Sequence, residues 1–301
     1  MYNSQLETFI RVADAGSFNR AAEQSYVTPT AVMKQINLLE SKLGVKLFER
    51  THRGLTLTRA GESLYSDAKY IMQYCKDAVI RAQNAMQEND TVIRIGTSPM
   101  TPAQVLVDLW PKIHEHCPEI KFQLVPFENT LENAQEILKN LGHNIDIIAG
   151  IFDDTMLNVR QCAGFEISTE PLCCAVSIYH PLARKQKLQI QDLYGEKLML
   201  MHRGWSSHVD ALRDDIWKNH GQIEIVDFDF YSVDIFNRCE NSQDILMAVQ
   251  AWENVHPLLK VIPVEWDHSI PYGLLHSPEP SETVKRFLTA LQTVLHEKAQ
   301  L

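Results

Sequence analysis

Thr30, Met33, Lys34 and Asn37 follow a Thr28-Pro29 pair at helical spacings, and on a helix they share one face. A hydroxyl, a thioether, an ammonium and an amide in one row suit base-edge readout in a DNA major groove. An amide offers donor and acceptor together, and a cation meets guanine acceptors. Thr28 is placed to cap the helix and touch phosphate. Lys46, Arg50 and Arg53 lie just downstream. Cations there suit phosphate or minor-groove contacts, which position a reader without carrying sequence information; solvated surface charge is the plainer alternative. A second chemistry is marked by Thr97, Ser98, Met100 and Thr101, which follow an apolar run. Hydroxyls and free backbone N–H groups where a strand gives way to a helix favour an anion such as a carboxylate. The run from Met201 to Ser207 has the same form, with His202, Arg203, Trp205 and Ser206 offering a cation and an indole. Phe152, after a strand, and Asn241, before a predicted helix, complete a candidate cleft for a small anionic or aromatic effector. The plainer reading pairs Arg203 with a surface acid and packs Trp205 on its own helix.

No catalytic constellation accompanies these residues. Gly204-Trp205-Ser206 lacks the G-x-S-x-G turn, His180 has no partner by spacing, and the 12 histidines are scattered. The six cysteines, at 75, 117, 162, 173, 174 and 239, form no C-x-x-C and no zinc spacing, so reduced thiols are expected. The reading is a protein that is not an enzyme and carries no cofactor or metal. No apolar run approaches a membrane span. The N-terminal Met-Tyr-Asn-Ser-Gln has no leader character, so a cytoplasmic location is expected.

The elements that must position the first row are written around it. Leu6, Phe9, Ile10 and Ala13 recur at helical spacing and Gly16 stops that helix. Ser17 is placed to cap a second helix, in which Ala21 and Ala22 allow close approach. Thr28-Pro29 opens the third, whose expected core side is Ala31, Ile36, Leu39 and Leu43, with Gly44 at its end. Residues 46–58 read as a two-stranded wing. From Arg59 a helix can run to about residue 87, with Gly61 its weak point. Leu64, Ala68, Ile71, Cys75, Ala78, Ala82 and Ala85 alternate steps of four and three along it. That is a heptad seam, read as a dimerising linker, with packing onto its own domain as the alternative.

The ordered set A-A-x(5)-T-P-x-A-V-x-K-Q-I-x-x-L-E-x-x-L-G-x-x-L-F-x-R, closed by L-T-x-A-G, covers about fifty residues and resembles the N-terminus of LysR-type transcriptional regulators. Ser25, Met33 and Asn19 depart from the usual Leu, Ser and Ser or Thr. The departure at Ser25 bears on the core, and that at Met33 on the preferred operator. The resemblance implies a winged helix-turn-helix that binds double-stranded DNA at a partly palindromic operator, a small-molecule effector contacted by the hydroxyl residue after the first strand, and assembly as a dimer of dimers. The seam itself argues for a homodimer.

From Thr91 the apolar period changes. Strands over 92–96, 121–126 and 145–151 alternate with helices carrying Val105–Ile113 and 131–141, and Pro111 should kink or split the first of these helices. A β-α-β-α-β order implies a parallel sheet with helices on both faces. A second unit offers strands over 171–178, 197–201, 225–230 and 259–263, with helices over 207–219 and 242–249. A strand over 272–276 then returns to the first unit, followed by a helix over 281–298. Chain crossings near 162–167 and 264–270 make a hinged cleft of the periplasmic-binding type. The fold class expected is thus α plus α/β: a winged helix-turn-helix over 1–58, a linker helix over 59–89, and a two-lobed effector domain over 91–301. Lobe 1 takes 91–162 and 268–301, and lobe 2 takes 163–267. The family resemblance extends here through strand order, L-W-P and H-P-L-A. Net charge of −10 divides into +3 over residues 1–61, −2 over 62–90 and −11 over 91–301, a basic head on an acidic body that repels phosphate. A solute-binding protein would need an export signal and no basic head. A metabolic enzyme with an attached DNA-binding domain would need a catalytic set.

Overall fold

The computed structural model describes residues 4–51, 54–85 and 91–299. The chain forms two compact units, Met1–Glu88 and Asn89–Leu301.

In the first unit α1 (Ser4–Ala15), α2 (Phe18–Gln24) and α3 (Pro29–Leu43) enclose Phe9, Val12, Ala21, Ala22, Val32 and Ile36. Gly16, at φ +59°, turns the chain between α1 and α2, a conformation cheap only for glycine. Ser17 sits extended at the start of α2, but its side chain makes no capping bond, contrary to expectation. Thr28 Oγ1 accepts from Ala31 N at 3.3 Å, Pro29 takes the first turn, and Gly44 ends α3 at φ +70°. The core side of α3 differs from the sequence reading: Val32, Ile36, Leu39 and Glu40 are buried, whereas Ala31 and Leu43 are exposed. Ala31 lies one residue, or about 100°, off the arc through Val32 and Ile36.

Strands β1 (Phe48–Thr51) and β2 (Gly54–Leu57) pair antiparallel as the wing, with Phe48 opposite Leu57. Thr58 then caps α4 (Arg59–Ala85), its Oγ1 accepting from Gly61 N at 3.0 Å. Gly61 is a packing requirement rather than a weak point: a Cβ there would stand 2.2 Å from the Leu47 carbonyl oxygen. The predicted seam divides. Leu64 and Ala68 pack into the head's own core beside Tyr65 and Met72. Further along, Cys75 and Ala78 are half-buried and Ile71 and Ala82 exposed. The Ala85 side chain lies outside the described set.

The second unit is built on β3 (Val92–Thr97), α5 (Gln104–His116), β4 (Lys121–Pro126), α6 (Leu131–Lys139), β5 (Ile147–Ile151), α7 (Asp154–Arg160) and β6 (Ala163–Ser177). Next come β7 (Leu188–Gln189), β8 (Lys197–Met201), α8 (Ser207–Asn219), β9 (Glu224–Phe228), α9 (Val233–Glu240), β10 (Ile245–Val249) and β11 (Leu259–Glu265). β12 (Ser269–His276) and α10 (Glu282–Ala299) close the chain. One ten-stranded sheet runs β4-β3-β5-β12-β6-β10-β8-β9, with β11 on β6 and β7 on β11. The triads β4-β3-β5 and β10-β8-β9 are parallel, and the strands between them antiparallel. Ile147 and Ile148 enter different apolar clusters, as alternation between two covered faces requires.

Three expectations need correction and one is narrowed. Residues 242–249 hold no helix; Ile245–Val249 is a central strand, buried throughout, and such a run cannot be told from a buried helix by periodicity. The neighbouring helix is α9, and α7 was also unforeseen; both are short. Pro111 lies inside α5, so of the two outcomes expected for it, a kink or a split, the split is excluded. The first crossing is not at 162–167: β6 pairs with β12 up to Pro171 and with β10 and β11 from Leu172, so a single strand serves both lobes.

Candidate functional site

The outer face of α3 presents Thr30, Lys34 and Asn37 to solvent, with Met33 half-buried beside them. Ala31 and Leu38 share that exposed side. Tyr26, 97 % exposed and in the left-handed region at φ +53°, leads into it. Ser25 uses its polarity where an apolar residue was expected, its Oγ accepting from Arg11 Nη1 at 3.2 Å. Lys46 is exposed, but its ammonium holds the buried Glu40 at 2.5 Å. Glu40 also accepts from the Leu47 and Phe48 amides at 2.8 and 3.4 Å, tying α3 to the wing. Burial pushes that carboxyl up, but Lys46 and the two amides outweigh it and hold the group below the usual carboxylate range. Arg50 pairs through its backbone with Leu55; its side chain and all of Arg53 lie outside the described set.

In the second unit a cleft opens between the lobes. Lobe 1 contributes Met100, Thr101, Phe127, Leu138, Ile148 and Arg160, and lobe 2 contributes Trp205, Phe230, Tyr231 and Trp252. The aromatic wall is held rigidly. Tyr231 Oη donates to the Met247 carbonyl at 2.8 Å, and its ring lies 4.6 Å from Trp252 and 4.8 Å from Phe228. Burial pushes the Tyr231 hydroxyl far above its usual range. Asn129 Nδ2 donates across the cleft to the Tyr231 carbonyl at 2.9 Å. The Arg160 guanidinium stands over the Trp205 ring, 5.7 Å from its centroid.

Behind this wall a buried carboxylate joins the lobes. Asp153 Oδ1 accepts from Met156 N at 2.8 Å and so caps α7. Its Oδ2 accepts from Ser206 Oγ, Ser207 N and Ser207 Oγ at 2.8, 2.7 and 2.9 Å, at the start of α8. Burial raises the carboxyl, but the four donors prevail and hold it below the ordinary carboxylate range. One carboxylate thus serves two helix N-termini, where negative charge is favoured.

Of the ten effector candidates, Met100, Thr101 and Trp205 line the cleft. Thr97 and Ser98 line a more open neighbouring depression with Asn254 and Val255, and the Ser98 hydroxyl bonds to that of Thr101 at 2.8 Å. The others lie elsewhere. Phe152 packs beneath Gly164, where a Cβ would come within 2.5 Å of its ring. Ser206 is fully buried, its hydroxyl spent on Asp153 and the α8 cap. Arg203 is exposed and paired with Asp214, and His202 Nδ1 lies 3.7 Å from Asp229. Asn241 ends α9 rather than starting a helix, its amide donating to the Asn237 carbonyl. The reading missed Arg160, Tyr231 and Trp252. For Arg160 a signal existed: Asp153 is an N-cap residue of the standard type, and the helix it opens ends on that arginine. Among the described residues no group of three metal-ligating side chains gathers, and no helix is long and apolar enough to cross a membrane.

Comparison with known proteins matches residues 4–62 to the model for the bacterial regulatory helix-turn-helix protein, lysR family, and residues 86–296 to the LysR substrate binding domain. A hydrogen peroxide-inducible genes activator of Haemophilus influenzae is 25% identical over 279 residues, covering 93% of this chain and 87% of that protein. Its namesake in Pectobacterium carotovorum is 28% identical over 206 residues, and the match spans 66% of this chain and 64% of that relative. The Hca operon transcriptional activator HcaR of Escherichia coli is 30% identical over 190 residues, covering 63% of this chain and 62% of that protein. The crystal structure of CbnR, a LysR family transcriptional regulator, aligns over 98% of this chain and 99% of that one, at TM-score 0.59 and 20% identity, a likeness of fold.

Proposed function

The chain belongs to the LysR family of bacterial regulatory helix-turn-helix proteins, and from that premise we propose that it regulates transcription by reading duplex DNA with α3 and sensing a small molecule in the cleft of its α/β unit. The observation that carries this reading is the exposed row Thr30, Lys34 and Asn37 on a helix whose other side is core. Thr28 caps that helix at its DNA end, and Met33 borders the row. Lys46, Arg50 and Arg53 give the head its phosphate contacts. A homodimer presents two such heads to successive major grooves, so its operator is partly palindromic, and family membership favours pairing of dimers. Effector binding shifts the lobes toward one arrangement, to the extent that it binds that arrangement more tightly. We read the protein as non-catalytic and cytoplasmic.

Two relatives are named for induction by hydrogen peroxide, but the five buried cysteines here argue against thiol sensing at their positions, which needs a thiolate. Burial pushes Cys173 up to about 11 and Cys239 up to about 12, and raises Cys117 and Cys162 as well. Gel-shift titration of the full-length protein on duplexes from its own promoter region at low ionic strength, with sedimentation to give its assembly, tests the reading. Retarded complexes formed by a dimer or larger species are expected; a monomer that leaves every duplex free would refute it.

A further inference from the structure

The cleft is almost wholly apolar, yet one cation stands in its wall. Arg160 lines it over the face of Trp205, and among the described residues no hydrogen bond or ion pair engages its guanidinium. The absence has a local cause. Asp153, the carboxylate that attracts Arg160, already receives Met156 N on one oxygen and three serine donors on the other. Five N–H donors in a fixed fork are therefore left for something else, in a position shielded enough that burial works against the charge. Cation–π attraction to Trp205 offsets part of that cost but satisfies none of the donors.

Resting on the ligand-cleft reading above, we infer that the effector is an apolar, flat-bodied monocarboxylate whose carboxylate is held by Arg160 beside Trp205 and whose body lies against Phe127, Tyr231 and Trp252. A planar carboxylate matches the guanidinium fork with two parallel bonds. The rest of the lining excludes other classes. Sugars need many polar partners, and a phosphate monoester brings nearly two charges to one cation in an apolar wall. Arg203, the cation that sequence favoured, is exposed and engaged by Asp214.

Calorimetry on the full-length protein tests this with phenylacetate, 4-phenylbutyrate and 2-naphthoate against their amides, in wild type, Arg160→Gln, Arg160→Lys and the cleft-filling Met100→Trp. At least one carboxylate should bind the wild type about ten- to a hundredfold more tightly than its amide. Arg160→Gln should erase that preference at unchanged Tm, Arg160→Lys should restore part of it, and Met100→Trp should abolish binding. Loss in Met100→Trp with full carboxylate affinity in Arg160→Gln would remove Arg160 and leave the cleft standing. Binding untouched by Met100→Trp would remove the cleft itself. Amides binding as tightly as acids, or no acid binding the wild type at about millimolar concentration, would overturn the inference.

Discussion

Replacing Asp153 by Ala should cost the α/β unit about 3–5 kcal/mol. The carboxylate caps α7 through Met156 N and α8 through Ser207 N, and it receives the Ser206 and Ser207 hydroxyls. Each lost cap costs about 1 kcal/mol. Met156 and Ser206 are buried, so their donors cannot turn to water, and unsatisfied buried donors cost about 1–3 kcal/mol each. For a unit of this size the loss corresponds to a fall in Tm of roughly 10 °C. Asp153→Asn keeps the shape but has one carbonyl oxygen, which can serve Met156 or the serines but not both; about half the loss is expected. The pH dependence has a definite sign. The folded carboxyl is held below its ordinary value, so its contribution is complete above the unfolded value near 4 and fades as pH falls through the lower, folded one. Thermal unfolding by circular dichroism between pH 3 and 7, with hydrogen exchange at the first turns of α7 and α8, measures this. An Ala variant that melts within about 2 °C of wild type at pH 7, or whose acid profile overlays that of wild type, would refute the account of a shared cap.

Gly61→Ala should destabilise the head by about 2–4 kcal/mol, because steric overlap with the Leu47 carbonyl exceeds the gain of about 1 kcal/mol in helix propensity; an unchanged melting temperature would contradict the packing. Arg50→Ala should weaken binding to all duplexes and flatten the salt slope by about one, whereas Asn37→Ala should relax choice at one base step by about 1–3 kcal/mol; gel-shift salt titrations on operator variants separate the two. Cys173 and Cys239 should resist iodoacetamide in the folded protein at pH 8, since burial holds them as thiols; rapid labelling seen by mass spectrometry would reopen thiol chemistry.

The head was legible residue by residue because its signals are local. Thr28-Pro29 starts a helix and Gly44 ends it wherever they occur, and the row Thr30, Lys34, Asn37 follows from helical geometry alone. Even there Gly61 was misjudged, since its reason is a carbonyl fourteen residues away in sequence. In the α/β unit a strand such as Lys197–Met201 was readable as a short apolar run, whereas Ile245–Val249 was taken for helix, because burial on both faces erases the period that distinguishes strand from helix. The cleft depended on tertiary structure most of all. Sequence could place a cation and hydroxyls near strand ends, but which cation is left unpaired depends on what folding sets beside it. Asp214 reaches Arg203 from α8, while Asp153 is engaged by Met156, Ser206 and Ser207 and Arg160 stands over Trp205 instead. Chain order carries the elements, but the availability of a charge is a property of its neighbours in space.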